Sequence, residues 1–239
     1  MHDLVELLAD RSRRAAGPYI VGLTGSVAAG KTALAAALAT AFAERDTPLH
    51  ATVVSTDGFL YPNAVLEPRG MTFHKGFPGT YDTPALIGFL RAIRTGEPTV
   101  VPIHSHETYD IVPAGRVVDP GDVVVIEGLH LLGQHAADGA VAVGSLLDDC
   151  IYLDADRADL ERWFVERFMR MRAAAFDDPT SFYAVFAALD DTAAIAVARA
   201  VWSDINAVNL AEFIEPGRAL ATIVVGKSSD HSIASIVTR

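Results

Sequence analysis

The sequence predicts an α/β fold in which a mostly parallel sheet is covered by helices on both faces. Short apolar runs rich in β-branched residues, such as Ala51–Ser55 and Val123–Ile126, alternate with longer segments whose apolar residues recur at helical spacing. Parallel strands need crossover connections, which helices usually supply. The 239 residues are enough to bury a sizeable core, so we predict a single domain over residues 1–239.

The predicted elements follow one another from the N-terminus. They are an N-terminal helix within an extension (1–18), a strand at Tyr19–Thr24, a helix after Lys31, a strand at Ala51–Ser55, a long loop (58–82), a helix from Thr83 to about Gly96, strands at Val100–Ile103, Val123–Ile126 and Cys150–Leu153, helices at Arg157–Ala175 and Thr192–Phe213, and a last strand at Thr222–Val225. The loop is rich in proline and glycine, and a loop of that length in a compact domain is usually functional. We therefore predict that 58–82 is a substrate loop and that the helix at 157–175 belongs to a helical lid.

Composition excludes several classes of partner. The net charge of −11 argues against a nucleic-acid surface, which needs a basic footprint. The single cysteine, Cys150, cannot form an internal disulfide, which fits a cytoplasmic protein. No apolar run reaches the roughly 18 residues of a membrane span, and the first residues lack the apolar centre of a signal peptide.

The strongest motif follows the first predicted strand. The stretch Gly25–Thr32 matches the phosphate-loop pattern G-x-x-x-x-G-K-[ST], and its members are Gly25, Ser26, Val27, Ala28, Ala29, Gly30, Lys31 and Thr32. The glycines let backbone N–H groups surround phosphate oxygens, and the start of the next helix adds partial positive charge. Lys31 can reach the terminal phosphates and Thr32 can ligate Mg²⁺. The sequence therefore predicts a site for ATP and Mg²⁺.

Two carboxylates are expected at the same edge of the sheet. Asp57 and Glu127 each follow an apolar strand, and sites of parallel sheets gather at the carboxyl ends of the strands. Phosphoryl transfer to an alcohol needs a base and a metal ligand, and we assign these roles to Asp57 and Glu127 respectively. The alternative for either residue is an ordinary acid that caps a turn.

Further polar residues are candidates for the same site. Arg167 lies in the apolar stripe of the 157–175 helix, where it either reaches water or meets an anion, and we favour the γ-phosphoryl group. Asn206 and Asn209 are each either a core amide or a substrate contact. His106 and Tyr109 lie in a loop that enters the region, without the spacing of a zinc site. All three lysines of the chain neighbour glycine, which makes Lys75 and Lys227 candidate phosphate or nucleotide neighbours.

At these residues the chain resembles the bacterial type I pantothenate kinases, within the wider group of uridine kinase and phosphoribulokinase. The motifs that carry the resemblance are Gly25–Thr32, Ser55–Leu60, Tyr61–Asn63, Arg69–Gly70, Lys75–Pro78, Tyr81–Asp82, Ser105–His106, Tyr109–Asp110, Ile126–Gly128, Arg167–Phe168, Ala175–Phe176, Asp178–Pro179, Ile205–Asn206, Asn209–Leu210, Lys227–Ser228 and His231. The resemblance covers the chain from about Tyr19 onward, and the run from Thr56 to Asp82 is its most specific part.

The resemblance implies a three-layer P-loop kinase fold and an ATP-dependent enzyme that phosphorylates the terminal hydroxyl of pantothenate, the first step of coenzyme A biosynthesis. It implies Asp57 as base, Lys31 and Arg167 on the phosphates, and Thr32 and Glu127 near Mg²⁺. The implied pantothenate contacts are His106, Tyr109, Phe164, Asn206 and Lys75, and the implied neighbours of the nucleotide base are Lys227 and His231. It also implies a homodimer and coenzyme A as a feedback ligand.

The chain departs from the family pattern at a few positions. His104 and Phe164 stand where relatives carry tyrosine, Ala36 stands where they carry a basic residue, and only eighteen residues precede Tyr19. Two alternatives stay open: a kinase for another small alcohol, such as a nucleoside or sugar, and a nucleotide-binding regulator without activity. The combination of Asp57, Glu127 and Arg167 argues against the regulator, because binding alone needs no base.

Overall fold

The computed structural model describes residues 1–105, 107–133, 142–178 and 180–239. Its strands are β1 (Tyr19–Gly25), β2 (Ala51–Ser55), β3 (Thr99–Ser105), β4 (Asp110–Val118), β5 (Val123–Glu127), β6 (Asp149–Asp154), β7 (Ile223–Lys227) and β8 (Ile233–Thr238). Its α-helices are α1 (His2–Ser12), α2 (Lys31–Ala43), α3 (Asn63–Leu66), α4 (Thr83–Arg94), α5 (Arg157–Ala174), α6 (Asp191–Val201) and α7 (Ala207–Asn209).

Six strands form the central sheet in the order β2-β5-β1-β6-β7-β8. The first five are parallel, and β8 joins the edge antiparallel to β7. Strand β1 lies between β5 and β6 and is buried along its whole length, as is β5. Burial on both faces explains why these strands are continuous apolar runs. The predicted three-layer α/β fold is confirmed.

The end of β1 brings two backbones very close together. Gly25 has a φ of +140°, and a Cβ atom there would stand 2.5 Å from the carbonyl oxygen of Leu153 in β6. Only glycine combines this conformation with this approach. The first residue of the phosphate loop is therefore also required by the packing of β1 against β6.

Two strands were not predicted from the sequence. Strand β4 pairs antiparallel with β3 in a separate two-stranded sheet, and β8 covers the edge of the main sheet. The predicted loop 58–82 is not irregular either, because it contains α3 and several 3₁₀ turns. An isolated bridge between Leu60 and Tyr81 joins the two ends of this segment.

The last long helix is continuous but not uniform. It was predicted as one helix over Thr192–Phe213, whereas the structure contains α6, a π-helical turn at Trp202–Asn206, α7 and a second π-helical turn at Leu210–Ile214. Within the described ranges, none of the helices combines the length and the apolarity that crossing a membrane requires.

Candidate active site

The phosphate loop lies between β1 and α2, at the carboxyl end of the sheet. Gly30 caps the start of α2 with a φ of +92°. The Nζ atom of Lys31 donates to the carbonyl oxygens of Gly25 and Ser26 at 3.1 and 2.9 Å. Burial lowers the pKa of Lys31, while the charges of Glu127 and Asp57 raise it. The loop thus holds its lysine against its own carbonyls, beside the two predicted carboxylates.

Two oxygen ligands suitable for Mg²⁺ meet next to this loop. The Thr32 hydroxyl donates to Oε1 of Glu127 at 3.3 Å, and Glu127 is buried at the end of β5. Mg²⁺ prefers hard oxygen ligands and usually takes only one or two from the protein, the rest coming from water and phosphate. No cluster of three or more His, Cys, Asp or Glu side chains forms elsewhere in the described residues. The Thr32–Glu127 pair therefore fits the ion implied by the family.

Asp57 lies on the 3₁₀ turn Thr56–Phe59, directly after β2. The Ser55 hydroxyl caps this turn by accepting the Asp57 N–H at 3.3 Å. Burial lowers the pKa of Lys31, and the negative charge of the half-buried Asp57 raises it. Asp57 also lines a cavity of about 150 Å³, whose wall includes Pro102 and His104 of β3. A base placed between the phosphate loop and a cavity can meet an alcohol on one side and a phosphate on the other.

Arg167 reaches this centre from α5. Burial lowers the pKa of Lys31 and raises the pKa of Tyr109, and the positive charge of Arg167 makes a smaller, lowering contribution to both. No carboxylate among the described residues lies within ion-pair distance of its guanidinium group. An unpaired, half-buried arginine beside a phosphate loop matches the predicted contact with an anion.

Tyr109 lies at the turn of the β3–β4 hairpin in a left-handed conformation, with a φ of +53°. Its ring stacks on Phe182 with 4.5 Å between centroids, and its carbonyl accepts hydrogen bonds from Lys75 and from Asn63. Burial, with smaller contributions from Tyr183 and Asp57, raises the pKa of Tyr109 to about 12. The phenol therefore stays protonated as a hydrogen-bond donor for a ligand.

Lys75 contacts the β3–β4 hairpin in this structure. Its side chain is 2% exposed, and Nζ lies 4.9 Å from the centre of the Tyr109 ring and 4.0 Å from Asp110. Burial lowers its pKa. Its contacts in the described chain join the 58–82 segment to the hairpin.

Lys227, in contrast, touches the phosphate loop. Its Nζ donates to the carbonyl oxygen of Ala29 at 2.9 Å and would lie 3.0 Å from a Cβ atom on Gly30. The same atom lies 4.9 Å from the centre of the Trp163 ring, on which His231 stacks at 4.2 Å. The predicted pair Lys227 and His231 is thus brought together beside the loop.

Other predicted residues are placed less directly. Phe164 packs near Trp202 with 5.8 Å between centroids, and the Asn206 amide donates to the Val201 carbonyl of its own helix at 3.3 Å. His106 lies outside the described residues. Asp154, another strand-end acid, forms an ion pair with Arg218 at 2.8 Å.

Sequence reasoning left Asn209 open as a core amide or a substrate contact, and it assigned no role to three other residues for which the structure shows defined interactions. Asn209 is buried and donates to the Gly76 carbonyl at 2.8 Å, so the asparagine one turn after Asn206 is the one that binds the 58–82 segment. The others are Asn63, Tyr81 and Arg172. In the sequence, each of these residues is only a polar residue within a motif or on an apolar face. Such a residue cannot be distinguished from one on the surface.

The features described above define a P-loop kinase. They are a three-layer α/β fold, a phosphate loop with its lysine, two carboxylates beside that loop and an arginine that approaches it. The chain belongs to the Phosphoribulokinase / Uridine kinase family, whose model matches residues 20–183. This agrees with the group to which the sequence motifs pointed.

Similar proteins refine this assignment. The chain is 42% identical over 239 residues to a pantothenate kinase of Clavibacter sepedonicus, covering 99% of this chain and 74% of that protein. It is 42% identical over 224 residues to a pantothenate kinase of Sorangium cellulosum, covering 93% of this chain and 73% of the relative. Among solved structures, a putative fructose transport system kinase from Silicibacter sp. TM1040 matches with a TM-score of 0.69 and 28% identity, covering 92% and 93% of the two chains.

Proposed function

We propose that this chain is a pantothenate kinase, which transfers the γ-phosphoryl group of ATP to the terminal hydroxyl of pantothenate in the first step of coenzyme A biosynthesis. The observation that carries the proposal is the similarity, at 42% identity over 99% of this chain and 74% of the relative, to a protein named pantothenate kinase. The positions of Asp57, Lys31 and Arg167 around one centre support the reaction type.

The proposed mechanism follows from these positions. Asp57 takes the proton of the pantothenate hydroxyl as that oxygen bonds to the γ-phosphorus, and the bond from the γ-phosphorus to the bridging oxygen breaks to release ADP. Lys31 and Arg167 stabilise the charge on the transferred group. Mg²⁺, when bound by Thr32 and Glu127, neutralises phosphate charge. Lys227 and His231 flank the nucleotide.

Pantothenate fits the chemistry of the residues on the side of the site away from the phosphate loop. It carries amide and hydroxyl groups for donors such as Tyr109 and Asn206, and a gem-dimethyl group for apolar surface. His106 remains a further candidate from the sequence. Phe182 and Phe164 supply aromatic surface, and Lys75 fixes the Tyr109 loop. Because Phe164 lacks the hydroxyl of a tyrosine, one substrate hydrogen bond is absent, which is worth about 0.5–1.5 kcal/mol and should raise the KM.

Three further features belong to this proposal. We expect a homodimer, and we expect a cytoplasmic enzyme because ATP is its substrate and the one cysteine, Cys150, is a buried free thiol. We also expect coenzyme A to inhibit only weakly, because the exposed Ala36 on α2 offers no cation to a phosphate.

The second candidate is a kinase for a sugar or nucleoside. The structural likeness to the putative fructose transport system kinase favours including fructose among the tested substrates. The experiment is an ADP-release assay with Mg²⁺ and ATP across pantothenate, uridine, ribulose 5-phosphate and fructose. We expect the highest kcat/KM with pantothenate. If pantothenate gives no signal while another alcohol does, the kinase mechanism stands and the substrate is wrong.

A further inference from the structure

Tyr81 is fastened to the turn that carries Asp57. The isolated bridge between Leu60 and Tyr81 is flanked by two backbone hydrogen bonds of 2.8 and 2.7 Å, which join the residues after Asp57 to those around Tyr81. This short antiparallel contact fixes the backbone of the tyrosine relative to the proposed base. No residue role was assigned to Tyr81 from the sequence beyond its place in a motif.

The Tyr81 hydroxyl is buried and has no hydrogen-bond partner of normal geometry among the described residues. The ring is held edge-on against His130, with 5.8 Å between centroids. Buried hydroxyl groups are rarely left unpaired, and such exceptions call for an explanation. The hydroxyl therefore requires an acceptor that is not aligned with it in this structure.

The groups that face Tyr81 identify the acceptor. Burial raises its pKa well above the ordinary value for tyrosine, and the next largest effects come from Asp57, Tyr109 and Glu127. The phenol is thus protonated and has one proton to donate. Glu127 already accepts a hydrogen bond from Thr32.

Asp57 shows the complementary defect. Among the described residues, no hydrogen bond of normal geometry reaches its carboxylate, although its backbone N–H is bound by Ser55. A hydrogen-bonding contribution from Asp57 to the raised pKa of Tyr81 nevertheless places the two side chains within reach of each other. A buried hydroxyl without an aligned acceptor thus lies within reach of a carboxylate without an aligned donor, on two bridged segments. A small rotation of the carboxylate would join them.

We propose that Tyr81 is the positioning residue of Asp57: its hydroxyl donates to one carboxylate oxygen and leaves the other free to take the proton of the substrate hydroxyl. This rests on the proposed function, in which Asp57 is the base. A carboxylate bound at one oxygen cannot rotate away from the attacking hydroxyl, and a misaligned base costs rate rather than binding. Tyr81 acts only through Asp57.

The test is steady-state kinetics of Tyr81→Phe with ATP, Mg²⁺ and pantothenate. Phenylalanine keeps the ring against His130 and removes only the hydroxyl. We expect kcat to fall about 10- to 100-fold, the range for losing a hydrogen bond to a charged group, with both KM values nearly unchanged. Tyr152→Phe is the matched control, because Tyr152 is also a buried tyrosine but faces Asp154 and Glu215 instead. Its kcat should not change.

A double variant separates the two proposals. In Asp57→Asn, adding Tyr81→Phe should lower kcat little further, because the effect of the tyrosine passes through the lost carboxylate. Additive losses, an unchanged kcat in Tyr81→Phe, or a rise in the KM of pantothenate alone would each overturn the positioning role. If Asp57→Asn itself retains turnover, the proposed base is wrong instead. Melting temperatures of all variants exclude loss of folding as the cause.

Discussion

Replacing Arg172 with methionine is expected to loosen the segment that stacks on Tyr109. Arg172 is a 5%-exposed arginine on α5, one turn after Phe168. Its Nε donates to the Phe186 carbonyl at 3.0 Å, its Nη2 donates to the Leu189 carbonyl, and its Nη1 bonds Asp191 at 2.7 Å. One side chain thereby holds the turn Phe182–Phe186 against the helix that carries Arg167.

The size of the effect follows from these contacts. Methionine keeps most of the apolar stem but leaves two partly buried carbonyls without their donor, at about 1–2 kcal/mol each. Asp191 contributes little, because its side chain is 81% exposed and exposed ion pairs are worth about 0–1 kcal/mol. The expected loss is about 2–4 kcal/mol, and for a chain of this size that lowers Tm by about 4–16 °C.

The assay is thermal denaturation followed by hydrogen exchange of residues 182–189, with Asp191→Asn as control. The control removes the ion pair but strands no carbonyl, so its Tm should fall by less than about 3 °C. Because Phe182 stacks on Tyr109, the KM of pantothenate should also rise in Arg172→Met. Equal Tm shifts in the two variants, or unchanged exchange in 182–189, would refute the assigned role of the guanidinium group.

The remaining predictions concern the phosphate loop and its surroundings. Lys31→Ala should abolish turnover and weaken ATP binding in a titration, because the cation on the phosphates is lost; near-normal turnover would disprove the site. Asp57→Asn should lower kcat about 10²–10⁴-fold with ATP affinity little changed, and equal losses in both would make Asp57 a structural residue or metal ligand. Ala36→Arg should strengthen inhibition by coenzyme A in the ADP-release assay, while tight inhibition of the unaltered protein would contradict the reasoning.

The buried strands of the sheet could be predicted from the sequence because they are apolar on both faces. Strand β2 begins and ends where predicted, and β5 and β6 differ by one or two residues. Strands β4 and β8 were missed although both are rich in β-branched residues, because most of their residues are exposed or half-buried and neither sequence forms a continuous apolar run. Apolar periodicity predicts buried elements, and it does not predict exposed hairpins and edge strands.

The residues of the site also fall into those that the sequence could place and those that it could not. The phosphate loop, Asp57 and Glu127 were placed together correctly, because they follow parallel strands whose carboxyl ends share an edge. The sequence could not decide between the two roles considered for Asn209 or predict the contact of Asn63, because each depends on a contact between segments distant along the chain. Such contacts leave no periodic signal.

Two π-helical turns flank α7 in the last long helix. Because of them, one inserted or deleted residue would change which side chains this helix presents, whereas the strands of the sheet would keep their register. A residue in an α-helix turns the chain by about 100°, so removing one residue from Trp202–Asn206 would swing Asn209 away from Gly76 while β7 stayed in register. One inserted or deleted residue there would change which side chains face the 58–82 segment and leave the phosphate loop untouched. The length of this helix therefore controls how the 58–82 segment is held, independently of the phosphate loop.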